Sequence, residues 1–141
     1  ASPRMRLDLL VNDFVYQAAI NKQLIVYERG FRRTFIHVRD MGKAIQFSLE
    51  NYDQMRNNSY NVGHESLNYT KEDIANAIRE RAPFYLHYAE VGTDPDQRDY
   101  EVSYKKIQEI GYKTTVTLDE GISELIRVVD AIDVTSPWLN V

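Results

Sequence analysis

The chain has 141 residues, of which 43% are hydrophobic and 27% charged, and it contains no cysteine. This length supports one domain with a real core, and the lack of cysteine excludes disulfides, thiolate metal ligands and cysteine nucleophiles. The formal net charge of −4 argues against a broad nucleic-acid surface, because neutralising phosphates requires an excess of Lys and Arg.

The sequence shows no targeting or membrane signal. No apolar run approaches the ~20 residues that a transmembrane helix needs. The opening residues 1–4 lack the charged-then-apolar order of a secretory signal. These observations predict a cytoplasmic protein that binds neither membranes nor nucleic acid.

The first half of the chain alternates predicted helices with short predicted strands. Residues 7–20 place apolar side chains at three- and four-residue steps, which predicts an amphipathic helix. Asp40 is placed to cap a second helix that extends to about residue 50, and the polar stretch after it predicts a loop over 51–58. Three short runs rich in strand-forming residues predict strands at residues 24–27, 35–38 and 60–63.

The second half continues in the same way. Thr70 is placed to cap a helix that Pro83 terminates. Thr117 and Glu120, three residues apart, form a capping box that opens the last helix. The other predicted elements are a strand at 85–91, a turn at 94–96, an extended piece at 100–102 and a helix from Ser103 to Gly111.

This alternation of helices and strands predicts a single α/β unit. We place its domain at residues 1–132 and a C-terminal tail at 133–141. The six glycines lack the spacing of a dinucleotide- or phosphate-binding loop. The histidines at 37, 64 and 87 fall in different predicted elements, which favours isolated histidines over a metal site.

Four segments in order resemble the C-terminal half of the NAD-dependent epimerase/dehydratase family, the extended short-chain dehydrogenases that act on nucleotide sugars. Residues 33–40, R-T-F-I-H-V-R-D, resemble the family signature R-x-[FY]-[IV]-[HY]-V-x-D. The other segments are residues 2–6 with 12–15, the Y-N-V-G of residues 60–63, and the D-P-D-Q-R, K-I-Q-E-I-G-Y and L-D-E-G-I pieces within 94–122. The resemblance spans residues 2 to 130.

The resemblance implies a small mixed substrate-binding domain without its Rossmann half. In the intact enzyme, NAD or NADP would bind the missing N-terminal half. This chain has neither the family's glycine-rich loop nor its Tyr-x-x-x-Lys pair, so we expect no bound cofactor and no turnover by the chain alone. Two halves that share an apolar boundary would leave it exposed here, and we expect association with another chain or a homo-oligomer.

The resemblance also implies a site for a nucleotide diphosphate sugar. Arg33 would contact the diphosphate, and Arg98 would reach the same diphosphate or the ribose from the opposite side. A planar guanidinium offers paired donors that match phosphate oxygens better than Lys does. The remaining candidates are Val26 and Tyr27, which would border the base, and Asn12 and Arg4, which match positions near the substrate.

Each candidate also has a structural interpretation. The cationic turn at residues 29–33 is also typical of a solvated surface, and Arg98 has three aspartates nearby for a local ion pair. Tyr27 fits a core position, Asn12 a surface position, and Asp40 a helix cap. His37 fits a structural role, since histidines at strand ends often hydrogen-bond the backbone. A stand-alone nucleotide-binding module and a purely structural interaction domain therefore remain as alternatives to the enzyme half.

Overall fold

The computed structural model describes residues 5–93, 95, 97–129 and 131. Within these ranges the chain forms four short strands and six α-helices, extended by a π-helical turn after the first helix and a 3-10 turn before the third strand. In chain order these are α1 Leu10–Tyr16, the π turn Gln17–Asn21, β1 Gln23–Val26, β2 Arg32–Thr34, α2 Val38–Glu50, α3 Tyr52–Met55, the 3-10 turn Glu65–Leu67, β3 Asn68–Thr70, α4 Lys71–Arg79, β4 Tyr85–Tyr88, α5 Lys105–Gln108 and α6 Leu118–Val129.

The strands form two separate pairs. β1 and β4 are parallel, with Leu24 opposite Leu86, and a parallel pair needs the long crossover that α2 and α4 lie in. β2 and β3 are antiparallel, with Arg33 opposite Tyr69. The predicted mixed α/β class is confirmed, in the form of two small sheets among helices. Within the described ranges, no helix is long and apolar enough to cross a membrane.

The larger core lies between the β1–β4 pair and helices α1, α4 and α6. The alternation of β1 sends Leu24 and Val26 inward and leaves Gln23 and Ile25 exposed. Each fully buried aliphatic side chain of this kind contributes about 1.5–3 kcal/mol. The buried members of this larger core are Met5, Leu7, Phe14, Val15, Ala18, Leu24, Val26, Ile74, Ala75, Ile78, Ile122 and Leu125.

A second, smaller core joins α2, α3 and α5. Its buried members are Ala44, Met55, Tyr104, Ile107 and Tyr112. A Cβ at Gly63 would lie 2.6 Å from the ring of Tyr104, so the backbone at Gly63 packs directly on that ring. This contact requires glycine, and it explains the glycine of the Y-N-V-G segment in packing terms.

The predicted Thr70 cap and the predicted Thr117–Glu120 capping box are both confirmed, and the Thr70 cap is itself a full capping box with Asp73. The Thr70 hydroxyl accepts the amide N–H of Asp73 at 3.0 Å, and the Asp73 carboxylate accepts that of Thr70 at 2.9 Å. Thr117 and Glu120 exchange the same pair of bonds, at 3.2 and 2.8 Å. The starts of α4 and α6 are therefore fixed by local sequence.

The predicted cap of α2 was wrong. His37 is the N-cap, and its Nδ1 accepts the amide N–H of Arg39 at 3.2 Å. Asp40 lies in the first turn with its side chain fully buried. No local pattern indicates that Asp40 bonds to a distant segment, and its hydrogen bonds from the amides of Thr115 and Val116 place it inside the helix.

Several predicted strands and loops were also wrong. The strand expected at 35–38 is β2, three residues earlier, and 60–63 forms no strand although the polar Asn68–Thr70 does. The loop expected at 51–58 contains the short helix α3. In strands of three residues, pairing between distant segments outweighs local strand propensity.

Candidate functional site

A cavity of about 760 Å³ opens between α1, the β2–α2 segment and α6. Three of the predicted site residues line it, namely Asn12 from α1, Arg33 from β2 and Arg98 from the loop that follows β4. The structure thus brings together two arginines that are 65 positions apart in the sequence. Pockets for small ligands fall in this size range.

Arg33 is the most enclosed of these charged groups. It is 6% exposed, and its Nη1 donates to the carbonyl oxygen of Arg32 at 3.1 Å. Its guanidinium carbon lies 5.7 Å from the ring centroid of Tyr100, within the range of a cation–π contact. These contacts hold the guanidinium in place, which suits a fixed anion-binding group.

The other two arginines of the cationic turn lie on the surface, as predicted. Arg29 pairs with Glu72 at 3.6 Å, and Arg32 pairs with Glu101 at 3.5 Å. All four side chains are well exposed to solvent, so these pairs contribute little to stability. The alternation of β2 separates Arg33 from its exposed neighbour Arg32.

Arg98 lies at the solvent-exposed side of the same cavity. It belongs to a loop that has no strand of its own, but the chain just after it runs beside β2. There the amide N–H of Tyr100 donates to the carbonyl oxygen of Arg32 at 3.3 Å. Contact with β2 therefore brings Arg98 near the strand that carries Arg33.

Asn12 lines the cavity from α1. Its amide nitrogen donates to the carbonyl oxygen of Arg6 at 2.7 Å, so part of its hydrogen-bonding capacity holds the segment before α1. Arg4, the other candidate from this end of the chain, lies outside the described residues.

Val26 and Tyr27 do not line this cavity. Val26 is 1% exposed and belongs to the larger core, because the alternation of β1 points it inward. The carbonyl oxygen of Tyr27 accepts the Nζ of buried Lys71 at 3.0 Å. A Cβ at Gly92 would lie 2.9 Å from the Tyr27 ring, so that ring packs against the loop after β4.

His37 contributes to the cavity wall. Its Nδ1 serves as a hydrogen-bond acceptor at the start of α2, which leaves the proton on Nε2, 3.6 Å from a carboxylate oxygen of Glu124 on α6. Burial lowers the pKa of His37 below its ordinary value, so the neutral form is favoured. The structural role expected of His37 from the sequence is confirmed by its helix-capping bond.

Asp40 supports another part of the wall. Its carboxylate accepts hydrogen bonds from the amides of Thr115 and Val116, at 3.0 and 2.9 Å, and from the Thr115 hydroxyl at 2.8 Å. Burial alone raises the pKa of a carboxyl, but the bonds from Val116 and Thr115 outweigh it and hold the pKa of Asp40 below its ordinary value. Asp40 is therefore a buried anchor for the segment that enters α6.

The sequence interpretation missed most of the remaining lining. The cavity also receives Asp13 from α1, Thr117 from the cap of α6 and Gly121 from its first turn. Gly121 has one sequence signal, the L-x-x-G-[IL] ending, and the His37 ring lies 3.5 Å from where its Cβ would be. Among the described residues, no three carboxylate or imidazole side chains converge as a metal site requires.

The comparisons with known proteins agree with the motif order. No family model matches the chain. It is 29% identical over 124 residues to a probable GDP-L-fucose synthase of Oryza sativa subsp. japonica. The alignment covers 86% of this chain and 37% of that protein.

Solved structures of enzymes share the fold of this chain. UDP-glucose 4-epimerase of Thermus thermophilus, in complex with NAD, matches with a TM-score of 0.67 at 19% identity, over 86% of this chain and 40% of that one. L-threonine dehydrogenase of Clostridium difficile matches with a TM-score of 0.70 at 18% identity and the same coverage of 86% and 40%. The resemblance to extended short-chain dehydrogenases is confirmed.

The chain spans little more than a third of the curated relative and about 40% of these solved structures. The likeness to extended short-chain dehydrogenases therefore covers one part of those enzymes.

Proposed function

We propose that this chain is the C-terminal substrate-binding half of an NAD(P)-dependent epimerase, dehydratase or reductase that acts on a nucleotide sugar. The observation that supports this most directly is the shared cavity of Arg33 and Arg98. A diphosphate needs cationic donors on more than one side, and arginine matches phosphate oxygens in pairs.

In this proposal the chain provides binding and orientation. Arg33, held against Tyr100, contacts the diphosphate, and Arg98 closes on it from the solvent side. Binding energy gained on this remote part of the substrate positions the sugar for the reaction. NAD or NADP, held by the other half, supplies reversible hydride transfer at a sugar carbon.

An exposed apolar stripe on α2 supports the existence of a complementary half. Its side chains recur at three- and four-residue steps and are between 42% and 71% exposed. Such a stripe is unusual on a surface that stays in water. The members are Val38, Met41, Ile45, Leu49 and the following Tyr52. We propose that the cofactor-binding half packs on this stripe.

A thermal-shift and calorimetry panel tests the proposal on this chain. GDP-, UDP-, dTDP- and CDP-sugars are compared with free GDP and UDP, and with L-threonine, because the dehydrogenase neighbour acts on that amino acid. We expect one base series to stabilise the chain, and its free diphosphate to retain much of the effect. If no nucleotide diphosphate binds, the nucleotide-sugar proposal is wrong.

The reading frame upstream of residue 1 distinguishes the enzyme half from a stand-alone binding module. A continuous frame with a glycine-rich βαβ start and Tyr-x-x-x-Lys supports the enzyme. A native start at this point supports the module, with the same diphosphate site. A purely structural domain is supported if the panel finds no ligand.

A further inference from the structure

The outer edge of β2 is occupied by the chain segment that carries Arg98. On one side of β2, the carbonyl oxygen of Phe31 accepts the amide N–H of Lys71 at 3.2 Å and the amide N–H of Phe35 donates to the carbonyl oxygen of Leu67 at 3.0 Å, on either side of β3. Backbone groups alternate in direction along a strand, so those of Arg32 face the opposite side. There they bond to residues 99 and 100.

These two bonds differ in kind. The amide N–H of Tyr100 donates to the Arg32 carbonyl oxygen at 3.3 Å, as in a strand pair. The amide N–H of Arg32 donates to a carboxylate oxygen of Asp99 at 2.7 Å. A hydrogen bond to a charged carboxylate is about twice as strong as a neutral one. Tyr100 is therefore held on β2 by its backbone, and Asp99 is held on β2 by its side chain. Arg98 is the residue directly before Asp99 in the chain.

Downstream of Asp99 the segment is held independently. Val102 exchanges two hydrogen bonds with the side chain of Asn68, at 3.1 and 3.0 Å. The amide N–H of Tyr104 donates to Glu65 at 3.0 Å. Loss of the Asp99 bond therefore leaves residues 102–104 in place and removes the hydrogen bond to β2 that lies next to Arg98, while Gln97 keeps its bond to Glu28 at 3.4 Å.

We infer that Asp99 is a positioning residue, which fixes Arg98 at the cavity by accepting the amide N–H of Arg32. This inference rests on the proposed function. It also explains why a negatively charged residue, Asp99, lies beside a site that is proposed to bind an anion. The Asp99 carboxylate is used by a backbone donor of β2, and the same donor belongs to the strand that carries Arg33.

Calorimetry with GDP and UDP on the 141-residue chain tests the inference by a double-mutant cycle. We expect Asp99→Ala to weaken binding about three- to tenfold, and Asp99→Asn, whose amide oxygen still accepts the bond, to stay within about twofold of wild type. In an Arg98→Ala background, Asp99→Ala should add no further loss. Glu101→Ala, which removes an exposed carboxylate two residues away, is the matched control and should bind as wild type.

The inference is overturned if Asp99→Ala binds as wild type, if Asp99→Asn binds as weakly as Asp99→Ala, or if the loss persists undiminished in the Arg98→Ala background. A measurement without ligand separates this result from the proposed function. In ¹⁵N relaxation, the Arg98 amide and Nε should become more mobile in Asp99→Ala and not in Asp99→Asn. If neither diphosphate binds the wild type, the proposed function fails, and unchanged Arg98 mobility in Asp99→Ala then overturns the positioning role as well.

Discussion

The carboxylate of Asp40 accepts the amide N–H of Val116 at 2.9 Å and thereby joins the first turn of α2 to the segment that enters α6. The backbone carbonyl of Asp40 also accepts the Tyr112 hydroxyl at 2.7 Å. Val116 lines the cavity, so Asp40, through its carbonyl and its carboxylate, connects the smaller core to the wall of the candidate site. The shape of the wall depends on a charged group that does not itself line the cavity.

The first prediction concerns Asp40→Asn. The substitution removes the negative charge, and the NH₂ group of the new asparagine, a hydrogen-bond donor, then faces the N–H donors of Thr115 and Val116. We expect a loss of about 2–4 kcal/mol in the free energy of unfolding, because buried donors lose a charged acceptor. Chemical denaturation at pH 7 measures it. Asp53→Asn is the control, since the Asp53 side chain is exposed, and it should change stability by less than about 0.5 kcal/mol.

The pH dependence of stability gives a second prediction for the same residue. The pKa of Asp40 is lowered in the folded state, so the unfolded chain binds the proton more tightly. The stabilisation is therefore complete above the ordinary aspartate pKa of about 3.9 and is lost as the pH falls through the lower folded pKa. Asp40→Asn should flatten the acid limb of the stability curve. An unchanged acid limb would contradict the role assigned to this carboxylate.

The third prediction concerns Arg33. Arg33→Ala should weaken nucleotide-diphosphate binding by about one to three orders of magnitude, on the scale of lost charged hydrogen bonds. Arg33→Lys keeps the charge but loses the paired donors, and should be intermediate. Calorimetry measures the affinity, and melting curves without ligand show that the variants fold.

Arg29→Ala is the matched control for Arg33. Arg29 belongs to the same cationic turn, but its side chain is exposed and lies over the Tyr88 ring at 5.3 Å, outside the cavity lining. It should bind the ligand as wild type does. Equal affinities for Arg33→Ala, Arg29→Ala and wild type would remove Arg33 from the site.

The fourth prediction concerns the apolar stripe of α2. The isolated chain should self-associate, because the stripe is exposed. Ile45→Glu places a charge within the stripe and should reduce association, whereas Gln46→Glu adds the same charge to the polar face and should not. Sedimentation velocity distinguishes them. A wild-type chain that sediments as a clean monomer at high concentration would contradict this prediction.

The fifth prediction pairs two glycines. Gly63→Ala places a methyl group against the Tyr104 ring at 2.6 Å, and overpacking of this kind costs about 1–3 kcal/mol. Gly42 lies within α2 with open space around it, so Gly42→Ala should stabilise the chain by about 0.5–1 kcal/mol. Thermal melts measure both. If both substitutions shift the melting temperature in the same direction, the packing described at Gly63 is contradicted.

Local chemistry made several features predictable from the sequence. The cap at Thr70 and the capping box at Thr117 depend on residues within three positions, and both formed as expected. The apolar spacing predicted α1 and α6 because a helix face is a local pattern. The segment order also predicted the likeness to extended short-chain dehydrogenases, which the comparisons confirmed.

Other features were decided only by the tertiary structure. β2 and β3 have three residues each, and their positions follow from pairing with each other. The burial of Asp40 follows from donors that are more than 70 residues away, and the approach of Arg98 to Arg33 follows from bonds between Asp99, Tyr100 and Arg32. The sequence by itself determined which side chains could bind an anion. Whether they share one cavity depended on hydrogen bonds between distant segments, and local spacing carries no information about such bonds.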